Sequence, residues 1–305
     1  MGSRRREAAR AAVPGPGTVP ARRPTGRPAL PGRPGTPRRS TSGRRPRVSL
    51  TAEYRAEALH LTGERTVPGV PEENYWFRRH EAAYLALLPY CDDAIVLEAG
   101  CGEGYGAALI AERAHRVLAV DYDTPTTEHA ARCYPGLGVA RTNLHSLPVA
   151  TGVVDVVANF QVIEHLWDQE RFLSECRRVL RPGGRLLVTT PNRLTFTPDS
   201  PTPLNPFHTR ELSPSELDTL LHDTGFVVES LSGLRHGPAL AELDRRHGGS
   251  IIEAQLEVVL GSLPGEAVWP EPLRGDVAGI AAGDFAVRTE DLDASLDLVA
   301  VAVRP

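Results

Sequence analysis

One short segment constrains this chain more than any other. Residues 98–106 read EAGCGEGYG, directly after the apolar run 94–97 and directly before a helical pattern at 107–114. Glycines at a strand-to-helix turn let the backbone fold tightly and approach a ligand without Cβ clashes. Asp121 stands twenty-three residues after Glu98, at the end of the next apolar run, 116–120. A carboxylate there can accept hydrogen bonds from both hydroxyls of a ribose. The pattern predicts a strand–helix–strand unit with a nucleoside-type ligand at the carboxyl ends of its strands.

The rest of the chain extends that unit. Helices are expected at 73–90, 125–133, 169–180 and 213–224. Thr124 is the expected N-cap of the second, with Pro125 in its first position, and Ser213 the N-cap of the last. Strands are expected at 94–97, 116–120, 139–142, 153–159, 185–190, 226–231 and 295–303, with the RPGG run at 181–184 as a break. This alternation implies a doubly wound α/β fold around a mostly parallel seven-stranded sheet covered on both faces. Residues 233–294 do not alternate. They hold helical stretches near 238–246 and 250–260 and are too long for a plain loop. They read as an inserted cap or dimerisation element before the last strand, which makes a homodimer an expected partner. The divisions are thus a tail (1–47), a helical lid region (48–92), the core (93–232), the insert (233–294) and the last strand (295–305).

Charge is uneven along the chain. Residues 1–47 contain thirteen Arg and one acid, Glu7, so the overall net charge of −4 leaves about −16 on the remainder. The tail is rich in Arg, Pro and Gly and lacks hydrophobic periodicity, so it is expected to be disordered. Val48, where patterned sequence begins, is an alternative start. An acidic body disfavours a nucleic-acid substrate, because phosphate contacts dominate that affinity. No apolar run is long enough for a membrane span. Cys91, Cys101, Cys133 and Cys176 show neither zinc nor disulfide spacing, and a reducing cytoplasm is the expected home.

Gly102, Gly104 and Ala107 also satisfy a dinucleotide pattern, G-x-G-x-x-A. Glu98 argues against it. A pyrophosphate at this turn would be repelled by a neighbouring carboxylate. S-adenosylmethionine has no phosphate and carries a sulfonium and an ammonium, which favour acidic neighbours.

Residues 98–106, Asp121, 153–159 and 180–188 (LRPGGRLLV) together resemble the four main motifs of class I S-adenosylmethionine-dependent methyltransferases, in their usual order. The resemblance covers about residues 70–232 and the final strand. It implies cofactor contacts from Glu98, Gly100, Cys101, Gly102, Gly104, Asp121, Tyr122, Asn143, Leu144 and Gln161. The first motif would hold the methionine moiety, Asp121 the ribose and Asn143 the adenine amino group. Most members have Asp at the place of Asn143. The stretches 71–80 (PEENYWFRRH), 205–211 (NPFHTRE) and 248–252 (GGSII) are similar to a narrower actinobacterial group associated with genes for methylated glucans. That likeness implies a sugar hydroxyl as acceptor, and hence a small-molecule or saccharide substrate.

Methyl transfer to an alcohol also requires a base. The first candidate is His165, just past the fourth strand, and the second is His208, in the loop after the fifth. Glu164, His165 and Asp168 are close enough in sequence to hold a divalent metal, although none is expected. Tyr75, Trp76, Arg78, Arg79 and His80 form either a lid or a core-packing helix. His236, Arg245, Arg246 and His247 either line a substrate cleft or form a polar surface. The rival functions are an NAD-linked oxidoreductase and a non-catalytic cofactor-binding protein.

Overall fold

The computed structural model describes residues 65–200, 202–261 and 267–305. The expected tail, and residues 48–64 of the expected lid region, lie outside the described residues.

The elements run α1 (Asn74–Leu87), β1 (Ile95–Ala99), α2 (Tyr105–Ala111), β2 (Arg116–Asp121), α3 (Thr124–Cys133), β3 (Gly138–Arg141), β4 (Val154–Phe160), α4 (Gln169–Val179), β5 (Leu180–Pro191), α5 (Arg193–Phe196), α6 (Pro214–Asp223), β6 (Val227–His236), α7 (Pro238–Arg246), α8 (Ile251–Leu260), α9 (Glu271–Gly279), β7 (Phe285–Arg288) and β8 (Asp297–Val303). The strands form one sheet in the order β3-β2-β1-β4-β5-β8-β6-β7. The joins from β3 to β5 are parallel, and β8 enters antiparallel between β5 and β6. Apolar residues on the two faces build two cores. One contains Val96, Ala107, Ile110 and residues of α1; the other contains Leu97, Phe172, Leu173 and Leu221. Strands buried on both faces explain the near-continuous Val, Leu and Ala runs of β4, β5 and β8.

The structure corrects four expectations, one of them the break at 181–184, which lies inside β5. The sheet has eight strands, not seven, because β7 pairs with the end of β6 at the sheet edge. A four-residue edge strand is too short to show an alternation signal. For the same reason the insert does not begin at 233: residues 233–236 still belong to β6. Asp123, not Thr124, caps α3. Its carboxylate accepts the Thr126 amide and hydroxyl at 3.2 and 2.6 Å, and a carboxylate is also favoured at a helix N-terminus by the dipole. Ser213 does cap α6, in a full capping box with Glu216.

The segment between β6 and β7 packs onto α1. Asn74 donates its side-chain amide to the carbonyls of Val277, Ala278 and Ile280 at 3.0, 3.2 and 2.9 Å, closing the end of α9. Arg79 forms a buried two-point ion pair with Asp297, at 2.7 and 2.6 Å. That pair ties α1 to the start of β8.

Candidate functional site

The order β2-β1-β4 places a switch point beside β1, and a cleft of about 550 Å³ opens there at the carboxyl ends of the three strands. Its volume lies in the range of small-molecule sites. Its floor is the glycine-rich turn. The amides of Gly100 and Cys101 both donate to the Val120 carbonyl, at 2.8 and 2.9 Å, which folds the turn back over β2. Gly100 has φ +90°, and a Cβ there would sit 2.5 Å from Val162. Gly102, at φ +51°, faces open space, and a side chain there would enter the cleft region. Gly104, at φ +103°, lies against Ala130 and Tyr134.

Three carboxylates surround this turn. Asp121 accepts the Gly102 amide at 2.9 Å with one oxygen and the Asp123 amide at 3.0 Å with the other. It shapes the turn while its remaining lone pairs stay available at the cleft wall. Glu103 is buried and accepts from the Tyr134 hydroxyl at 2.7 Å, from His129 at 2.8 Å and from the Tyr105 amide at 3.1 Å. Glu98 sits one layer behind the surface, 1% exposed. Its Oε1 accepts from the Tyr84 hydroxyl at 2.7 Å, whereas its Oε2 has no well-formed hydrogen bond, the Ala107 amide being its nearest backbone influence. Burial pushes its pKa up to about 8, opposed by the Tyr84 hydroxyl and reinforced by Asp121. A buried carboxyl group beneath a glycine turn fits a ligand whose positive charge stabilises its ionised form.

The far wall holds Tyr122, Asn143 and Leu144. Tyr122 is exposed, with the Arg141 guanidinium 5.5 Å from its ring centre. Asn143 Oδ1 already accepts the His145 amide at 2.9 Å. A second acceptance there uses its other lone pair. Gln161 follows β4 in a left-handed conformation, φ +57°. Its side-chain Nε2 is buried without a partner, while its backbone amide donates to the Thr189 carbonyl at 2.8 Å. Strain of this kind at a cleft wall is a mark of function.

The two candidate bases differ. His165 lines the cleft. Its Nδ1 lies 3.0 Å from the Phe207 carbonyl. A carbonyl only accepts, so Nδ1 carries the proton and Nε2 presents a lone pair. Burial lowers the His165 pKa to about 4, opposed by the hydrogen bond to the Phe207 carbonyl and helped by the Arg65 charge. The ring is therefore neutral at pH 7. His208 does not line the cleft and stands behind His165, with ring centres 4.9 Å apart. Asn205 uses its Oδ1 for the Phe207 amide and donates Nδ2 to His208 Nε2 at 3.2 Å. His208 Nδ1 then donates to buried Glu211 at 2.6 Å. Both His208 nitrogens are occupied.

Asp168 is spent capping α4, through the Arg171 amide at 2.9 Å. The groups that gather are instead Glu164, His165 and His208, with one ligand atom each within 4.8 Å of one another. On α1, Tyr75 is fully buried and Arg79 is paired with Asp297; only His80 and Tyr84 of that helix reach the cleft. His236 bridges Tyr75 and Asp244 at 2.7 Å each, and Arg246 and His247 bind Asp276. None of these three lines the cleft. Sequence reasoning missed Arg65, Thr66, Glu103, His145 and Trp167 as cleft residues. Glu103 was visible as an acid between two glycines. The others carry no local signal.

A family profile described as a methyltransferase domain matches residues 97–188. A protein of Mycolicibacterium smegmatis, named "Probable S-adenosylmethionine-dependent methyltransferase", is 58% identical over 251 residues, covering 81% of this chain and 96% of the relative. A Mycobacterium tuberculosis protein of the same description is 55% identical, covering 81% of this chain and 90% of its own length. Neither name states an acceptor. Among solved structures, the methyltransferase bound to the Trm112 activator of Haloferax volcanii matches with a TM-score of 0.53 at 19% identity, covering 77% of this chain and 92% of that one. At that identity the match shows the fold alone.

Proposed function

We propose, from the premise that this chain belongs to the S-adenosylmethionine-dependent methyltransferases, that it methylates a hydroxyl oxygen of a sugar or glucan, with His165 as the base. The observation that carries this reading is the His165 ring. It is neutral, held at Nδ1 by Phe207, and offers Nε2 to the cleft.

Bound in the cleft, S-adenosylmethionine supplies an electrophilic methyl group on a sulfonium. In this reading Glu98 and the turn from Gly100 to Gly104 hold the methionine end of the cofactor. Asp121 takes the ribose, and Tyr122, Asn143 and Leu144 flank the adenine. Gln161 stands between cofactor and acceptor. Fixing the acceptor oxygen against the methyl lowers the barrier by part of the roughly 7–11 kcal/mol available to proximity. As the O–C bond forms, the hydroxyl becomes strongly acidic and its proton moves to His165 Nε2. A histidine with a pKa near 4 is a weak base, but it is sufficient for a proton that acidic, and it stays unprotonated at neutral pH. A positioned base of this kind contributes about 10²–10⁴-fold. The products are S-adenosylhomocysteine and a methyl ether.

The test is an acceptor screen with radiolabelled cofactor over sugars, glucan oligosaccharides, quinones and small phenols. Label recovered as a sugar methyl ether supports the reading. Label found only in phenols or quinones overturns the acceptor class and leaves the family assignment in place.

A further inference from the structure

The amides of the glycine turn are largely engaged within the protein. Those of Gly100 and Cys101 donate to Val120, that of Gly102 to Asp121, that of Gly104 to the Cys101 carbonyl at 3.0 Å, and that of Tyr105 to Glu103. The same turn is ringed by the carboxyl groups of Glu98, Glu103 and Asp121. This wall suits the sulfonium and ammonium of S-adenosylmethionine. The carboxylate of the same cofactor needs a hydrogen-bond donor there, among acids that repel it.

His80 on α1 supplies one. It lies four residues before Tyr84, on the same face of the helix, and both line the cleft. Tyr84 holds Glu98, so His80 stands one helical turn from the carboxyl group that fits a cation. The tautomer of His80 follows from its neighbours. Its Nδ1 lies 3.3 Å from the Thr66 hydroxyl oxygen, which lies 3.4 Å from the Tyr105 hydroxyl oxygen. Thr66 has one proton for these two neighbours. Tyr105 is buried, and among the described residues its hydroxyl has Thr66 alone as partner. Donation from Thr66 to Tyr105 would leave the phenol proton without an acceptor, which is costly in the interior. Tyr105 therefore donates to Thr66, Thr66 donates to His80 Nδ1, and the ring proton of His80 sits on Nε2. Nε2 has no partner among the described residues, and the ring is only partly buried where it meets the cleft. Desolvation lowers the His80 pKa to about 4, opposed by Asp297, so the ring is a neutral donor at pH 7. Other side-chain donors near the turn are committed. Arg65 is paired with Asp123 at 3.5 Å, the Tyr84 hydroxyl serves Glu98, His165 carries its proton on Nδ1, and Gln161 Nε2 is buried.

We propose that His80 holds the methionine carboxylate of S-adenosylmethionine through its Nε2–H, with Tyr105 and Thr66 fixing the tautomer that makes it a donor. Helix α1 then reads both charges of the amino-acid end, the ammonium through Tyr84 and Glu98 and the carboxylate through His80. The proposal needs only the cofactor and is independent of the acceptor class and of the role of His165.

The experiment is calorimetry on the full chain with two probes, S-adenosylmethionine and decarboxylated S-adenosylmethionine, which keeps the sulfonium and the ammonium. The wild type is expected to bind the first at least tenfold more tightly. His80→Ala is expected to lose about tenfold in affinity for S-adenosylmethionine and to stay within threefold of wild type for the decarboxylated probe, so that the gap closes. His80→Gln, whose amide can donate, should restore most of it. Thr66→Val keeps the ring and removes the hydroxyl that sets its tautomer, and it should narrow the gap without weakening the decarboxylated probe. Equal weakening of both probes by His80→Ala would make the ring a packing residue and overturn the proposal. So would a His80→Ala gap as wide as that of wild type, or a wild type that binds both probes equally.

Discussion

Glu98 carries the most informative charge state in the molecule. A carboxyl group that titrates near pH 8 is largely protonated at neutral pH, and a cationic ligand stabilises its ionised form. Binding of S-adenosylhomocysteine, which keeps the ammonium group, should therefore release a proton from Glu98. The sign follows: fewer protons are bound in the complex, so affinity rises with pH up to about 8. The expected outcome is at least a tenfold gain in affinity between pH 6 and pH 8 by calorimetry, flattened in Glu98→Gln. A wild-type affinity independent of pH would remove Glu98 from the cofactor site. The place of Asp121 at the cleft and of Glu98 behind the glycine turn was legible because their spacing around the glycines is local. The contacts of Glu103 were not, since His129 and Tyr134 reach it from α3 through the fold. Nor was the difference between His165 and His208. Both follow strand ends in sequence, and only three dimensions reveal that Asn205 and Glu211 occupy the second ring.

At the scale of elements, the first turn of α2 and α1 are fitted to each other. A Cβ on Gly106 would lie 2.2 Å from the hydroxyl of Tyr84, the residue that holds Glu98. Gly106→Ala should therefore destabilise the chain by about 1–3 kcal/mol, the usual cost of overpacking, and displace Tyr84 from Glu98. Ring carbons of Tyr84 lie equally close, so Tyr84→Phe should not relieve the strain, whereas Tyr84→Ala should. Denaturant titration of the three variants checks this; an unstrained Gly106→Ala would mean that α1 moves freely over the turn. Helices with a strong cap and periodic apolar face, such as α6 behind Ser213, could be read directly. Strand β7 could not, because four residues at a sheet edge carry too little pattern. The RPGG break before the fifth strand proved to lie inside β5, where the backbone bulges at the join with β4.

At the scale of the whole molecule, residues far apart in sequence close the structure. Arg79 and Asp297 are 218 positions apart and almost fully buried, so no sequence pattern announces them. Removing one partner strands a buried charge, and Arg79→Ala should cost about 3–5 kcal/mol in denaturant unfolding. The paired apolar replacement Arg79→Met with Asp297→Leu should cost far less, and equal losses would show that packing, not charge, sets the effect. Among the described residues no helix is long and apolar enough to cross a membrane. The central claim, hydroxyl methylation with His165 as base, is tested most directly by single-turnover methyl transfer to the acceptor found in the screen, comparing wild type with His165→Ala at pH 7. The account predicts a rate lowered about 10²-fold or more, with S-adenosylhomocysteine affinity within a few fold of wild type. A His165→Ala rate near that of wild type would contradict it.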